Sequence, residues 1–293
     1  MEHFVENWKP KWNSFKESMY LLAKNKLSLL AFAIIIFLVL GAIFAPVLVP
    51  YPEDVYSTHI ENKLQPPSSD HLMGTDELGR DVFSRVVYAA RVSISTALIA
   101  VGVALLIGIP LGAIAGSFGG WVDNVIMRIT DVFLSFPPLL LAIALVALLG
   151  SGLTNAIIAI VVSWWPWYTR LVRGQAISIK ERKFVQAAET IGTSKTKIIF
   201  KHIIPNCISP VIVQASMDIG GVIMTVASLS FLSLGAQQPT PEWGLMISVG
   251  RAYFPDKWWC CIFPGIAIFL TVLSFNLLGD AIREILDPKT RKR

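Results

Sequence analysis

The sequence predicts an all-α, polytopic membrane protein with six transmembrane helices, and three observations lead there. Hydrophobic residues make up 54% of the 293 and charged residues only 15%, too apolar a balance for a soluble domain of this size. The charges are segregated between long runs that are nearly free of them. Six of those runs, at 27–49, 92–117, 126–149, 155–171, 211–234 and 258–282, meet the roughly 17 to 25 residues that a spanning helix needs.

Taken in order, the first run follows Lys9, Lys11, Lys16, Lys24 and Lys26. It lacks a small-residue cleavage site and is long enough to span, so it reads as a retained helix after a cytoplasmic segment over 1–26. Residues 50–91 open with Pro50, Pro52, Pro66 and Pro67 and form an irregular external strap. A five-helix core over 92–282 follows. Its first helix carries Gly108, Gly112 and Gly116 four apart, the spacing of close helix packing. Asp123, Arg128 and Asp131 cluster at the inner end of the next, where Arg128 and Asp131, three apart, share a face and form a structural pair. Trp164, Trp165 and Trp167 surround Pro166 in the fourth helix, which predicts a kink. Residues 173–210 form a helix, turn and helix: a run from 178 to 191, a break at Gly192, Thr193 and Ser194 as N-caps, and a second run stopped by Pro205. The fifth span holds Asp218. A carboxylate there is costly, so Asp218 either faces a pathway or bonds to a neighbouring helix. The last span leads to a tail over 283–293.

An even number of spans places both termini on one side, and Lys and Arg in the connections decide which. Five lysines precede the first span, eight basic residues lie between Arg170 and Lys201, and five close the chain, eighteen in all, against six on the other face. The richer side is predicted to be cytoplasmic.

Two motifs add identity. Gln186, Ala187, Ala188, Glu189, Thr190, Ile191 and Gly192 are followed, nine residues on, by His202, Ile203, Ile204 and Pro205. Small Ala187 and Ala188 admit a close partner, and Gly192 admits a positive φ. This spacing resembles the loop signature of permeases of bacterial ATP-binding-cassette (ABC) importers, Glu-Ala-Ala, three residues, Gly, nine residues, Ile-x-Leu-Pro. The chain departs from it at Gln186, His202 and Ile204. In the strap, His71 to Arg85 contains Gly74, Thr75, Asp76, Gly79, Arg80, Asp81 and Arg85, with Met73 where the family has Leu. That stretch resembles the dipeptide, oligopeptide and nickel branch, of the C type, as does Pro-Glu-Trp-Gly over 241–244.

The resemblance implies the type I ABC importer permease fold in a bacterial or archaeal inner membrane. It implies a homologous second permease, two ATP-binding subunits that hold ATP and magnesium, and an extracytoplasmic solute-binding protein. Residues 186 to 192 then dock on an ATPase subunit, and cargo is a dipeptide or oligopeptide, with nickel or another small solute as the alternative. Physically, Asp76, Arg80, Asp81 and Arg85 can form an ion-pair and capping network at the start of the second helix. That network either fastens the strap or meets a binding protein or substrate.

Other classes fit less well. Cys207, Cys260 and Cys261 lack metal or disulfide spacing, and the net charge of +5 comes without a basic, aromatic-interleaved run for nucleic acid. His3, His59, His71 and His202 lie outside the spans, so a serine protease in the membrane lacks its base. No phosphate loop or His-Glu-x-x-His motif occurs. The chain is therefore expected to be no enzyme and to bind no cofactor or metal itself, with lipid around its spans. A secondary transporter or channel acting alone remains the rival of another class, though no internal repeat supports it.

Overall fold

The computed structural model describes residues 25–286; the lysines at 9–24 and the tail beyond 286 lie outside them. Among the described residues the regular structure is helical, with one isolated bridge between Thr75 and Asp81.

Helix α1 (Lys26–Leu48) is capped by Asn25, whose side chain accepts from the amides of Leu27 and Ser28. Only Ser28, Ala31, Ala42 and Ala45 are buried on it, so small residues face protein and large aliphatics face outward, as lipid contact requires. The strap follows, with 3₁₀ turns at Glu53–Val55 and Ile60–Asn62. Helix α2 (Val82–Phe118) starts ten residues earlier than hydropathy suggested, because Asp81 caps it. Its 37 residues extend about 55 Å, well beyond a hydrocarbon core of about 30 Å. Its first turns therefore belong to the strap.

The third predicted run is not one helix. Helices α3 (Gly120–Leu134) and α4 (Pro138–Leu149) meet at 87°. Two consecutive prolines, Pro137 and Pro138, remove two amide donors and force the preceding residues into extended backbone; Pro137 has ψ 129°. Hydropathy runs straight across this break, which is why the sequence suggested continuity.

Helix α5 (Leu153–Lys180) continues through Pro166. Then come the short α6 (Lys183–Thr190) and α7 (Lys195–Ile198), a π turn at Ile199–Ile203, and α8 (Ile204–Phe231). Pro205 does not stop the second run as expected. It sits directly after the π turn, in the first turn of α8, and the helix continues from Lys195 to Phe231. Helix α9 (Trp243–Gly250) precedes α10 (Trp259–Leu286). Among the described residues four helices are long and apolar enough to cross a membrane, and five if the bent α3–α4 pair counts as one span. Arg170, Arg173 and polar residues dilute α5, which is not among them.

Helix α2 is central and packs along α5, α8 and α1, while α8 packs on α10 and α9. One core fills the space between these helices; a second, smaller one joins Ala113 of α2 and Val172, Ala176 and Ile179 of α5 to the hairpin and the start of α8. The two cores lie toward opposite ends of the molecule, the strap end and the lysine-rich end.

Candidate functional site

At the lysine-rich end, α6 and α7 make a helical hairpin. Thr193 N–H donates to Ala188 O at 3.0 Å and Gly192 N–H to Glu189 O at 2.9 Å, the paired bonds of a Schellman cap. That cap needs a left-handed residue, and Gly192 supplies it with φ 80°. Val185 and Ala188 face inward, packing with Ile198, Ile199 and Ile203. Gln186, Ala187, Glu189, Thr190 and Gly192 face outward, with Ile191 83% exposed. The structure thus divides the alanine pair: Ala187 is free to meet a partner, and Ala188 holds the hairpin to its own core. Phe184 and Ile191 are exposed large apolar residues beside Arg182, Lys183, Lys195 and Lys197. An apolar tip rimmed by cations is a docking surface in its chemistry. Pro205 is exposed, thirteen residues on from Gly192, at the start of α8.

Below the hairpin, the expected Arg128–Asp131 pair is replaced by pairs between helices. Asp131 bonds Arg170, and Asp123 takes Arg173 in two bonds, Nε at 2.5 Å and Nη2 at 2.6 Å. The long arginines of α5 reach α3, and a bidentate fork holds better than a contact along one helix. Lys180 Nζ donates to Ser117 O at 3.1 Å.

At the opposite end the strap motif is a buried clamp. Asp76 Oδ1 accepts from the amides of Leu78 (2.9 Å) and Arg80 (3.0 Å), and Oδ2 accepts from Arg80 Nε at 2.7 Å. Arg80 also donates to Glu77 (3.1 Å) and to Gln238 (2.9 Å), tying the strap to the loop before α9. Arg85 Nη1 donates to Val55 O, and its Nε stands 3.5 Å from Asp76. Asp81 caps α2 through Ser84 N–H (2.7 Å) and pairs with His71 Nδ1 at 3.0 Å. Thr75 is fully buried; its Oγ1 accepts from Gln65 N–H and its carbonyl accepts from Trp259 Nε1 at 3.1 Å. Gly74 and Gly79 have φ near +70° to +80°, and a Cβ on Gly79 would fall onto the His59 carbonyl. Burial pushes the Glu77 carboxyl upward, helped by Asp76 and opposed by Arg80. Burial likewise raises Asp54, against the pull of His59. Arg80 and Arg85 are each 1% exposed, so neither guanidinium is open to a visiting molecule.

Asp218 lies half-buried on α8 and accepts from Gln214 Nε2 at 2.9 Å. It faces the buried Tyr168 of α5, whose hydroxyl is within electrostatic reach though it makes no well-aligned bond. The sequence reading missed Tyr168, Gln238 and the Trp259 contact, since none of these has a spacing signal. Helix α5 runs unbroken through Pro166, with Trp165 buried and Trp167 exposed.

The model of the binding-protein-dependent transport system inner membrane component matches residues 108–292, and that of the N-terminal TM domain of oligopeptide transport permease C matches 14–67. The chain is 47% identical over 277 residues to the dipeptide transport system permease protein DppC of Alkalihalophilus pseudofirmus, covering 94% of this chain and 90% of that one. It is 46% identical over 271 residues to the probable D,D-dipeptide transport system permease protein DdpC of Escherichia coli, covering 92% and 90%. It is 42% identical over 284 residues to the glutathione transport system permease protein GsiD of Pectobacterium atrosepticum, covering 97% and 92%. Among solved structures, the inward-facing MetNI methionine ABC transporter aligns with a TM-score of 0.57 at 15% identity, over 69% of this chain and 97% of that one, which supports the fold alone. In such transporters the permease spans the membrane while separate subunits hydrolyse ATP. With matches along nearly its whole length, the chain belongs to the family of inner membrane components of binding-protein-dependent transport systems, as a permease of the C type.

Proposed function

We propose that this permease forms half of the translocation path of an ATP-driven importer of dipeptides or oligopeptides. The exposed tip of the hairpin, with Ile191 83% exposed beside Phe184 and Ala187, carries the proposal. Such a surface on a membrane subunit calls for a protein partner, and two ATP-binding subunits, holding ATP and magnesium, supply it. Residues Gln186 to Gly192 make the contact, and the Schellman cap keeps the turn stiff enough to transmit force. In this reading α5 and the bent α3–α4 pair complete six spans. The lysine-rich end, with both termini, is cytoplasmic. A homologous second permease covers the other side of the path, and an extracytoplasmic solute-binding protein delivers cargo at the strap end. The strap motif, from Gly74 to Arg85, fastens that end rather than touching cargo, because its arginines are buried and already ion-paired. Asp218 and Gln214 are the polar groups offered to the path. The names of the relatives, two dipeptide permeases and a glutathione permease, support peptide cargo over nickel or another small solute.

The test is purification of the tagged chain from its native membrane in mild detergent, with mass spectrometry of what stays bound. A second permease and ATPase subunits are expected with the wild type, and loss of the ATPase subunits alone with Ala187→Trp. Recovery of the chain by itself, moving cargo in sealed vesicles without ATP, would overturn the proposal in favour of a stand-alone transporter or channel.

A further inference from the structure

Along the outer wall of α1 and α2 runs a crevice of about 300 Å³. Val39 and Ile43 line it from α1, Ile94 and Leu98 from α2, and Arg91 and Ser95 supply its polar groups. Arg91 is exposed, and its guanidinium lies 5.9 Å from the Tyr88 ring. Among the described residues no carboxylate stands within ion-pair distance of it. Arg80, Arg85, Arg170 and Arg173, by contrast, each have an acidic partner.

The position makes the lone charge informative. Arg91 is nine residues into α2, about 13 Å along its axis, and packs beside α1 five residues before that helix ends. Toward the strap, Tyr56 and Tyr88 meet edge to face at 6.5 Å, the amphipathic rings that settle at the headgroup level. A guanidinium just inside that level, on a wall of aliphatic side chains, is costly without an anion. The planar fork of arginine matches a phosphate, which it holds in two charge-assisted bonds. Below it, the crevice runs about 10 Å along α2 to Leu98 and is lined by apolar side chains but for Ser95. The Ser95 hydroxyl donates within its own helix to Val92 O at 3.3 Å, so it presents no competing donor to an acyl chain.

We propose that this crevice is a binding site for an anionic phospholipid of the strap-side leaflet, with the phosphate on Arg91 and the upper part of one acyl chain between Val39, Ile43, Ile94 and Leu98. The bound lipid fills the seam between α1 and α2, which buries only small residues on the α1 side, and so staples α1 to the core.

The experiment uses the intact assembly in detergent, supplied with equal amounts of phosphatidylglycerol and phosphatidylcholine, with native mass spectrometry of the retained lipid. The wild type is expected to hold phosphatidylglycerol about tenfold more strongly, a difference of about 1.4 kcal/mol, and inorganic phosphate should not displace it. Arg91→Gln should fall to equal retention of the two lipids while keeping its thermal midpoint in phosphatidylcholine alone. Arg91→Lys should keep most of the preference. Equal retention by the wild type, or an unchanged preference in Arg91→Gln, would overturn the site. So would a cross-link from Ser95→Cys to another subunit, since protein rather than lipid would then cover the crevice.

Discussion

Asp76 and Asp131 both pair with arginine, and burial separates their weights. Asp76 stands between Arg80 and Arg85, each 1% exposed, and accepts from two backbone amides as well. Deleting one partner of such a cluster strands the others in a dry site, at a cost of about 3–5 kcal/mol. The side chains of Asp131 and Arg170 are 50% and 51% exposed, where water screens the pair and its contribution is about 0–1 kcal/mol. Asp76→Ala is therefore expected to lower the thermal midpoint in detergent steeply, or to prevent accumulation in the membrane. Asp131→Ala should shift the midpoint only slightly. Equal shifts in the two variants would show that the strap network carries less than its burial implies.

At the scale of elements, the seam between α2 and α5 decides how the lysine-rich end is held. A Cβ on Gly112 would lie 2.8 Å from Val172 Cβ and 2.9 Å from Arg173 N, and Gly108 and Gly116 meet α5 in the same way. Gly102 lies on the same helix with open space around it. Gly112→Leu is expected to part the helices, pull Arg173 from Asp123 and reduce the folded yield severely. Gly102→Ala should be neutral or stabilising by about 0.5–1 kcal/mol through helix propensity. A Gly112→Leu protein with a wild-type midpoint would refute the tight seam. This seam was legible in the sequence because a four-residue spacing of glycines is a local signal with one common physical cause. The Gly192 turn and the Asp81 neighbourhood were legible for the same reason, since a cap depends on residues within one turn. The 87° bend was not, because hydropathy measures apolarity and carries no direction across Pro137 and Pro138. Nor was the choice of Arg170 and Arg173 as partners for α3, or of Gln238 for Arg80, 158 residues apart. Those depend on which helices become neighbours, and no spacing along the chain records that.

Across the whole molecule, one continuous helical rod runs from the hairpin to the strap end. It spans 37 residues from Lys195 to Phe231, about 55 Å, and ends where Leu234 O receives the amide of Gly152. Any motion imposed on the proposed docking surface reaches the far end through this rod, so the rotational phase of its two halves matters. The π turn at Ile199–Ile203, closed by Ile204 N–H on Ile199 O, holds one residue more than an α turn. Removing a residue there restores an α turn and leaves the flanks in phase. Ile199 and Ile203, both buried, would become three apart instead of four and still share a face. Phe200, 64% exposed, is the residue that can be lost without opening the core. Ile212 is also exposed, at 46%, but lies in regular α8, where deleting one residue rotates everything before it by about 100°. Deletion of Phe200 is expected to preserve membrane accumulation and most ATP-driven uptake in vesicles. Deletion of Ile212 should abolish uptake, because the hairpin would turn its buried face of Val185 and Ala188 away from α2 and α5. Equal uptake by the two deletions, whether retained or lost, would show that the phase of the rod does not govern how the hairpin is held.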